Sequence, residues 1–356
     1  MKVITARNIN DAFRLGVDFF LEKTNYREQE SRNGLTLEAV EPVATVYQKP
    51  TERVLFCEKR DANPFFHFIE GLWMLHGRND LRPLTFFVES MRDFSDDNET
   101  LWGAYGWRWR DYFDKDQLDI IIAMLQRNPD DRRAVLQMWD AKEDLDRDGK
   151  DVPCNTNIYF KVRDKKLNMT VCNRSNDMLW GAYGANAVHM SMLQEYLASR
   201  IEVAVGEYTQ ISDSFHVYQN DVWERCKELG VIDIYSWRST KNDYEYIKQK
   251  DLVPLITHSR TFQWELNLFF AAFDDVITTG ETFSTKEYTG PIKTFQNPSI
   301  RDIAIPMVNA YLFHKRRRYE DSYAWINKIK AYDWMKACFE WVRKRDTTFT
   351  LKIADN

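Results

Sequence analysis

The stretch VPCNTNIYFKVRDKKLNMTVCNRS, residues 152–175, decides the fold. Apolar and polar residues alternate from Ile158 to Val162 and again from Leu167 to Val171, around a charged turn. That is the period of a β-hairpin with one buried face. A cysteine, Cys154, follows a proline at the mouth of the first strand. The loop ahead of it, DAKEDLDRDGKD (140–151), is polar and charged. The sequence therefore places a thiol either in packing at a strand end or at the edge of a cleft.

Outward from the hairpin, the periodicity predicts helices and strands in mixed order. NINDAFRLGVDFFLEK (8–23) has apolar residues at helical spacing. ATVYQKP and RVLF, within 38–58, are strand candidates. NPFFHFIEGLWMLHG (63–77) reads as a buried helix, with Asn63 as cap, Pro64 in the first turn and Gly77 as stop. A further helix is expected over 117–127, and RRAVLQMWD (132–140) reads as a strand. ANAVHMSMLQEYLASRI (185–201) is an amphipathic helix, and GEYTQISDSFHVYQNDVWERC (206–226) a strand turning into a helix. Residues 306–345 are helical and rich in Lys, Arg, Trp and Tyr. The expected organisation is an α+β catalytic body over residues 1–255, with a mixed sheet flanked by helices. A C-terminal extension, 256–356, becomes mostly helical towards its end.

The chain of 356 residues, 44% hydrophobic and 14% aromatic, can bury a sizeable core. A net charge of −5 gives no sign of a general nucleic-acid binder. Five scattered cysteines, with no C-x-x-C pair, fit neither a disulfide framework nor a structural zinc site. They fit a reducing cytoplasm. No leader-like apolar segment and no membrane-length apolar run is evident, so a cytoplasmic protein without membrane contact is expected. His67, His76, His189, His258 and His314 form no i, i+4 metal pair and are read as structural; no metal is expected.

A nucleophilic cysteine needs positive charge nearby. Arg174, on the second strand of the hairpin, could return close to Cys154. RSNDMLWGAYGANAVH (174–189) gathers Arg174, Ser175, Asn176, Asp177 and Asn186 around a glycine-rich stretch. DRR (131–133) adds Arg132 and Arg133, SFHVY (214–218) adds His216 and Tyr218, and Glu70 stands on an otherwise apolar helix. Arginines in this number suggest a gripped anion, most naturally a phosphomonoester. An amide and an acid remain to read a polar ring.

At these residues the chain resembles the thymidylate synthase family, including its pyrimidine nucleotide hydroxymethylases. Seven pieces run in the family's order: SRNG (31–34), FFHFIEGLWMLHGRND (65–80), LWGAYGWRWR (101–110), DRRAVLQMWD (131–140), VPCN (152–155), NRSNDMLWGAYGAN (173–186) and DSFHVY (213–218). The resemblance implies a thymidylate synthase-like sheet and covalent catalysis on a pyrimidine nucleoside monophosphate. It assigns Cys154 the attack on C6 of the base, and Glu70 the water network that moves protons at O4 and C5. Arg174 and Ser175 would bind the 5′-phosphate, with Arg32 closing over it. Arg132 and Arg133 would reach the neighbouring site of a homodimer. Asp177 would contact the pterin of 5,10-methylenetetrahydrofolate, Asn186 the base edge, and His216 and Tyr218 the sugar 3′-hydroxyl. Tyr105 would line the cleft.

Four features depart from the synthase pattern. Asn155 follows the cysteine where the synthases have histidine. The loop between Asp177 and Asn186 is one residue longer. Met91 and Phe94 stand where tryptophans wall off the folate side. The chain also runs 138 residues past Tyr218, to the polar LKIADN, instead of closing with a short apolar tail. A changed wall and tail favour water over hydride at the last step, so 5-hydroxymethylation of dUMP is the leading expectation. An amide at 186 suits uracil. dCMP or CMP hydroxymethylation, synthase-type methylation of dUMP, and a non-catalytic nucleotide- or nucleic-acid-binding homologue are the alternatives.

Overall fold

The computed structural model describes residues 1–232, 243–248, 251–283 and 295–348, with the side chains of 229–232 left out. The polar tail read at 351–356 lies outside the described residues.

The chain opens with strand β1 (Lys2–Ala6) and helix α1 (Ile9–Leu21), which Asn8 caps through its side-chain oxygen. Strands β2 (Tyr26–Ser31), β3 (Gly34–Ala39) and β4 (Val43–Tyr47) follow. Helix α2 (Pro64–His76) starts where Asn63 Oδ1 accepts from the Phe66 N–H and stops at Gly77, whose φ of 95° is left-handed. Short helices α3 (Arg82–Phe87) and α4 (Tyr105–Arg110) lead to α5 (Gln117–Arg127) and β5 (Val135–Gln137). The hairpin is β6 (Asn155–Arg163) with β7 (Lys166–Asp177). An irregular helical turn, kinked at Tyr183 and Gly184, joins it to α6 (Asn186–Ile201). Then come β8 (Ala204–Tyr218) and α7 (Asp221–Ile232).

Among the described residues, eight strands form one mixed sheet, in the order β1-β4-β8-β7-β6-β5 with β3 also on β8 and β2 on β3. β7 and β8 run parallel; β6 and β7 are antiparallel, as are β4 and β8. The long β8 pairs with β4 over Tyr208–Ser212 and with β3 over His216–Tyr218. One strand thereby serves both the core and the site.

Helix α2 is buried on almost every side, with Phe65, Phe68, Ile69, Leu72 and Trp73 at 1% exposure or less. The reason lies beyond residue 255. Helices α8 (Phe262–Thr279), α9 (Ile305–Lys315) and α11 (Tyr332–Arg343) bring aromatic side chains onto it, and α10 (Tyr319–Ile326) packs on α9. Trp334 meets Phe68 edge-on at 4.9 Å and Trp341 meets Phe65 at 5.7 Å. Tyr311 donates to the Phe87 carbonyl at 2.7 Å. The extension thus shares the apolar core of the body.

Two expectations are corrected. RVLF (53–56) forms no strand, because side chains take its backbone donors: Val54 N–H meets the Tyr244 hydroxyl at 3.0 Å and Phe56 N–H meets Asn10 Oδ1 at 2.9 Å. The strand in RRAVLQMWD shrinks to Val135–Gln137, since the next two N–H groups, Met138 and Trp139, both turn to the Thr156 carbonyl.

Candidate functional site

The sheet register builds the site. β6 carries a bulge between Asn155 and Asn157, directly after Cys154. A bulge turns the strand mouth away from regular pairing and re-aims its side chains. The Arg174 N–H donates to the Cys154 carbonyl at 2.9 Å, so cysteine and arginine are locked across the hairpin. The Arg174 guanidinium lies over the same segment, donating to the carbonyls of Pro153 and Val152 at 3.0 Å each. Exposed Arg32 reaches from the β2–β3 turn to the carbonyls of Gly149 and Lys150, both at 2.9 Å. Burial pushes the half-buried Cys154 thiol up; Arg174 and Arg32 pull it down, and Asp151 opposes them.

Of the expected residues, Arg174, Arg32 and Tyr105 lie near Cys154, and Glu70 near the Asp151 beside it. Tyr105, at the start of α4, is half-buried, and the Asn155 N–H meets its hydroxyl. Burial and the facing Cys154 and Asp151 hold its proton on well above the usual range. Glu70 is 8% exposed, and burial together with Asp151 pushes it up to about 8. It is therefore a neutral acid at pH 7.

Next on the sheet, Asp177 and His216 are register partners across β7 and β8, as are Ser175 and Ser214. Asp177 caps the irregular turn, its Oδ1 accepting from the Trp180 N–H at 2.6 Å, while Oδ2 is buried without a hydrogen bond. Burial raises this carboxyl, against the pull of the Trp180 N–H, His216 and Arg60. The Tyr218 hydroxyl accepts from Asn33 at 3.4 Å, and its ring stands edge-on to His216 at 5.3 Å.

The Asn186 amide is oriented by a relay. Its Nδ2 donates to Asn176 Oδ1 at 3.1 Å, and Asn176 Nδ2 in turn donates to Gln210 Oε1 and Ser212 Oγ. Asn155 is fully buried; its Nδ2 donates to Asn173 Oδ1 and its own Oδ1 has no partner. Arg132 and Arg133 are not brought to this cluster. Both are exposed on the turn before β5, with Arg133 paired to Asp131 at 2.7 Å.

Three further groups lie beside these residues that the sequence does not single out for the site. Asp151 takes the Gly103 N–H at 2.8 Å and acts on Cys154, Glu70 and Tyr105 alike. It sits at the end of a charged run that looks like a solvated loop. Arg60, within EKRD, is only 3% exposed; it donates to the Leu179 carbonyl at 2.7 Å and stacks on Trp180 at 4.0 Å. His189, read as structural, places Nε2 3.2 Å from Glu70 Oε2.

A cysteine under an arginine at a bulged strand mouth, a neutral buried glutamic acid and an aspartate with one buried oxygen beside a histidine are groups suited to covalent acid–base work on a bound anion. The thymidylate synthase family model matches residues 23–230, and the chain belongs to that family. It is thus a transferase enzyme by kinship. Its relatives include a deoxyuridylate hydroxymethyltransferase of Pseudomonas phage M6, 42% identical over 99% of this chain and 97% of that one. A protein of the same description from Bacillus phage SP01 is 33% identical over 70% of this chain and 69% of its own. Among solved structures, thymidylate synthase from T4 phage aligns with a TM-score of 0.49 and 22% identity, over 61% of this chain and 79% of that one.

Proposed function

We propose that the protein moves a one-carbon unit onto C5 of dUMP and completes it with water, giving 5-hydroxymethyl-dUMP. The observation that carries this reading is the likeness, along nearly the whole chain, to a deoxyuridylate hydroxymethyltransferase.

The residues divide the work as follows. Arg174, Ser175 and Arg32 bind the 5′-phosphate, and His216 with Tyr218 holds the sugar. Asn186, with one N–H committed to Asn176, presents its oxygen and remaining N–H to O4 and N3–H of uracil. The same pattern suits cytosine less well, which favours dUMP over dCMP. Sulfur of Cys154 then bonds to C6, and the electron pair moves through C5 to O4. Glu70, neutral before the step, supplies the proton at O4 that stabilises this charge.

Asp177, whose buried Oδ2 makes no hydrogen bond, would hold the pterin of 5,10-methylenetetrahydrofolate through its N–H donors. When bound, the folate supplies the carbon that becomes attached to C5. Once C5 has given its proton to the site and bears that carbon as a methylene, water adds its oxygen there and gives up a proton in turn. The returning electron pair restores the C5–C6 double bond and expels the Cys154 sulfur. Synthase-type methylation, in which hydride takes the place of water, is the alternative, and the family match favours it.

The reading also takes the protein as a homodimer. Exposed Arg132 and Arg133 suit the phosphate of a neighbouring site better than their own.

The test is product mass after incubation with 5,10-methylenetetrahydrofolate and dUMP or dCMP. We expect dUMP to gain CH2O, and Cys154→Ala to lower turnover about 10⁴-fold or more. A gain of CH2 would leave methylation, and turnover of dCMP alone would overturn the base assignment.

A further inference from the structure

Helices α2 and α6 approach closely at Gly71, where an added Cβ would lie 2.4 Å from Met192 Sδ. This contact sets His189 of α6 against Glu70 of α2. His189 is 2% exposed, and burial lowers it to about 3, so its ring is neutral. Its Nε2 lies 3.2 Å from the His67 carbonyl and 3.2 Å from Glu70 Oε2. A carbonyl can only accept, so the ring proton is on Nε2, and Nδ1 is left buried and bare. Glu70 Oε2 is likewise sealed from solvent and makes no hydrogen bond, the Nε2–H being taken by the His67 carbonyl; the small exposure of Glu70 is carried by the rest of its side chain.

We propose that His189 is a positioning residue for Glu70: its Nε2, bonded to the His67 carbonyl and 3.2 Å from Oε2, offers Oε2 no acceptor and so keeps the transferable proton of Glu70 on Oε1. An O–H on Oε2 would find only an N–H facing it. The inference rests on Glu70 being the acid of the proposed reaction. Within that reading it explains how a carboxylic acid with two chemically equal oxygens offers its proton in one direction.

The groups around the pair come from every packed element. His67 lies on α2 itself, and Arg60 acts on His67. Asp151 faces Glu70 from the segment before β6. Cys154 and Tyr105 face Asp151, and Arg174 acts on both of them.

The experiment is a pH titration of the Glu70 carboxyl by ¹³C NMR on the full chain, assigned with Glu70→Gln, beside the pH–rate profile for dUMP. An N–H beside Oε2 favours the ionised form. His189→Leu should therefore move the midpoint upward from about 8, and His189→Gln, which carries an N–H near the place of Nε2, should bring it back. Asp151→Asn removes a like charge and should move it downward. Turnover should fall in His189→Leu and recover in His189→Gln, with KM for dUMP unchanged. A midpoint indifferent to His189→Leu, or lost turnover that His189→Gln does not rescue, overturns the inference. Should the leucine variant not fold, His189→Asn, whose N–H is too short to reach, takes its place. Absence of hydroxymethyl product from the parent chain would instead sink the functional reading, and the carboxyl titration would still decide His189.

Discussion

At the scale of single residues, the site is a set of groups whose protonation is governed by burial. Glu70 shows it most clearly. Its carboxyl has moved from an ordinary 4.5 to about 8, so between those values the folded chain holds a proton that the unfolded chain has released. Stability must then fall as pH rises through that window. Glu70→Gln removes this slope: chemical denaturation should find the variant more stable than the parent above pH 8, by a few kcal/mol, and near parity at pH 4.5. The same variant should lose about 10²–10⁴-fold in turnover. A parent protein with no stability slope between pH 4.5 and 8 would show that Glu70 is ionised at neutrality.

Residue by residue, the sequence made the polar members of the site legible and left their supports hidden. Cys154, Arg174, Asp177 and His216 could be found because rare residue types cluster in short motifs. Asp151 could not, since an aspartate in a run of aspartates carries no mark of its carboxylate turning inward to the Gly103 N–H. His189 was hidden for a different reason. On one helix it reads as a buried polar residue, and only the crossing of α2 and α6 supplies its partner.

At the scale of elements, the hairpin and the helix caps were legible because they depend on local periodicity and local hydrogen bonds. RVLF was misread because its donors are satisfied by Tyr244 and Asn10, residues 190 and 46 positions away. The segment linking α4 to the site depends on a fully buried ion pair: Arg108 grips Asp144 through two bonds of 2.7 and 2.9 Å and also donates to the Met138 carbonyl. Arg108→Met leaves a buried carboxylate without its partner and should cost about 3–5 kcal/mol in urea denaturation. Adding Asp144→Leu should recover much of that loss, because replacing both partners removes the stranded charge. No recovery in the double variant would mean that Arg108 acts through packing alone.

At the scale of the whole molecule, the helices beyond residue 255 cover α2 with tryptophan and tyrosine side chains, and so fix the helix that carries Glu70. The proposed homodimer makes a claim of its own. If Arg132 and Arg133 serve the neighbouring site, a mixture of Cys154→Ala with the double variant Arg132→Ala, Arg133→Ala should regain turnover that neither shows alone. In mixed dimers, one site then keeps both a cysteine and the opposite arginines. Failure of the mixture under conditions that exchange subunits would restrict each site to its own chain.

The central claim is that water, adding to a carbon on a pyrimidine held by Cys154, completes the reaction. It is tested most directly by turning over dUMP with 5,10-methylenetetrahydrofolate in water enriched in heavy oxygen. The account predicts a nucleotide heavier than dUMP by CH2O, with its new oxygen drawn from the solvent. A methylated nucleotide without added oxygen, formed together with dihydrofolate, would contradict it.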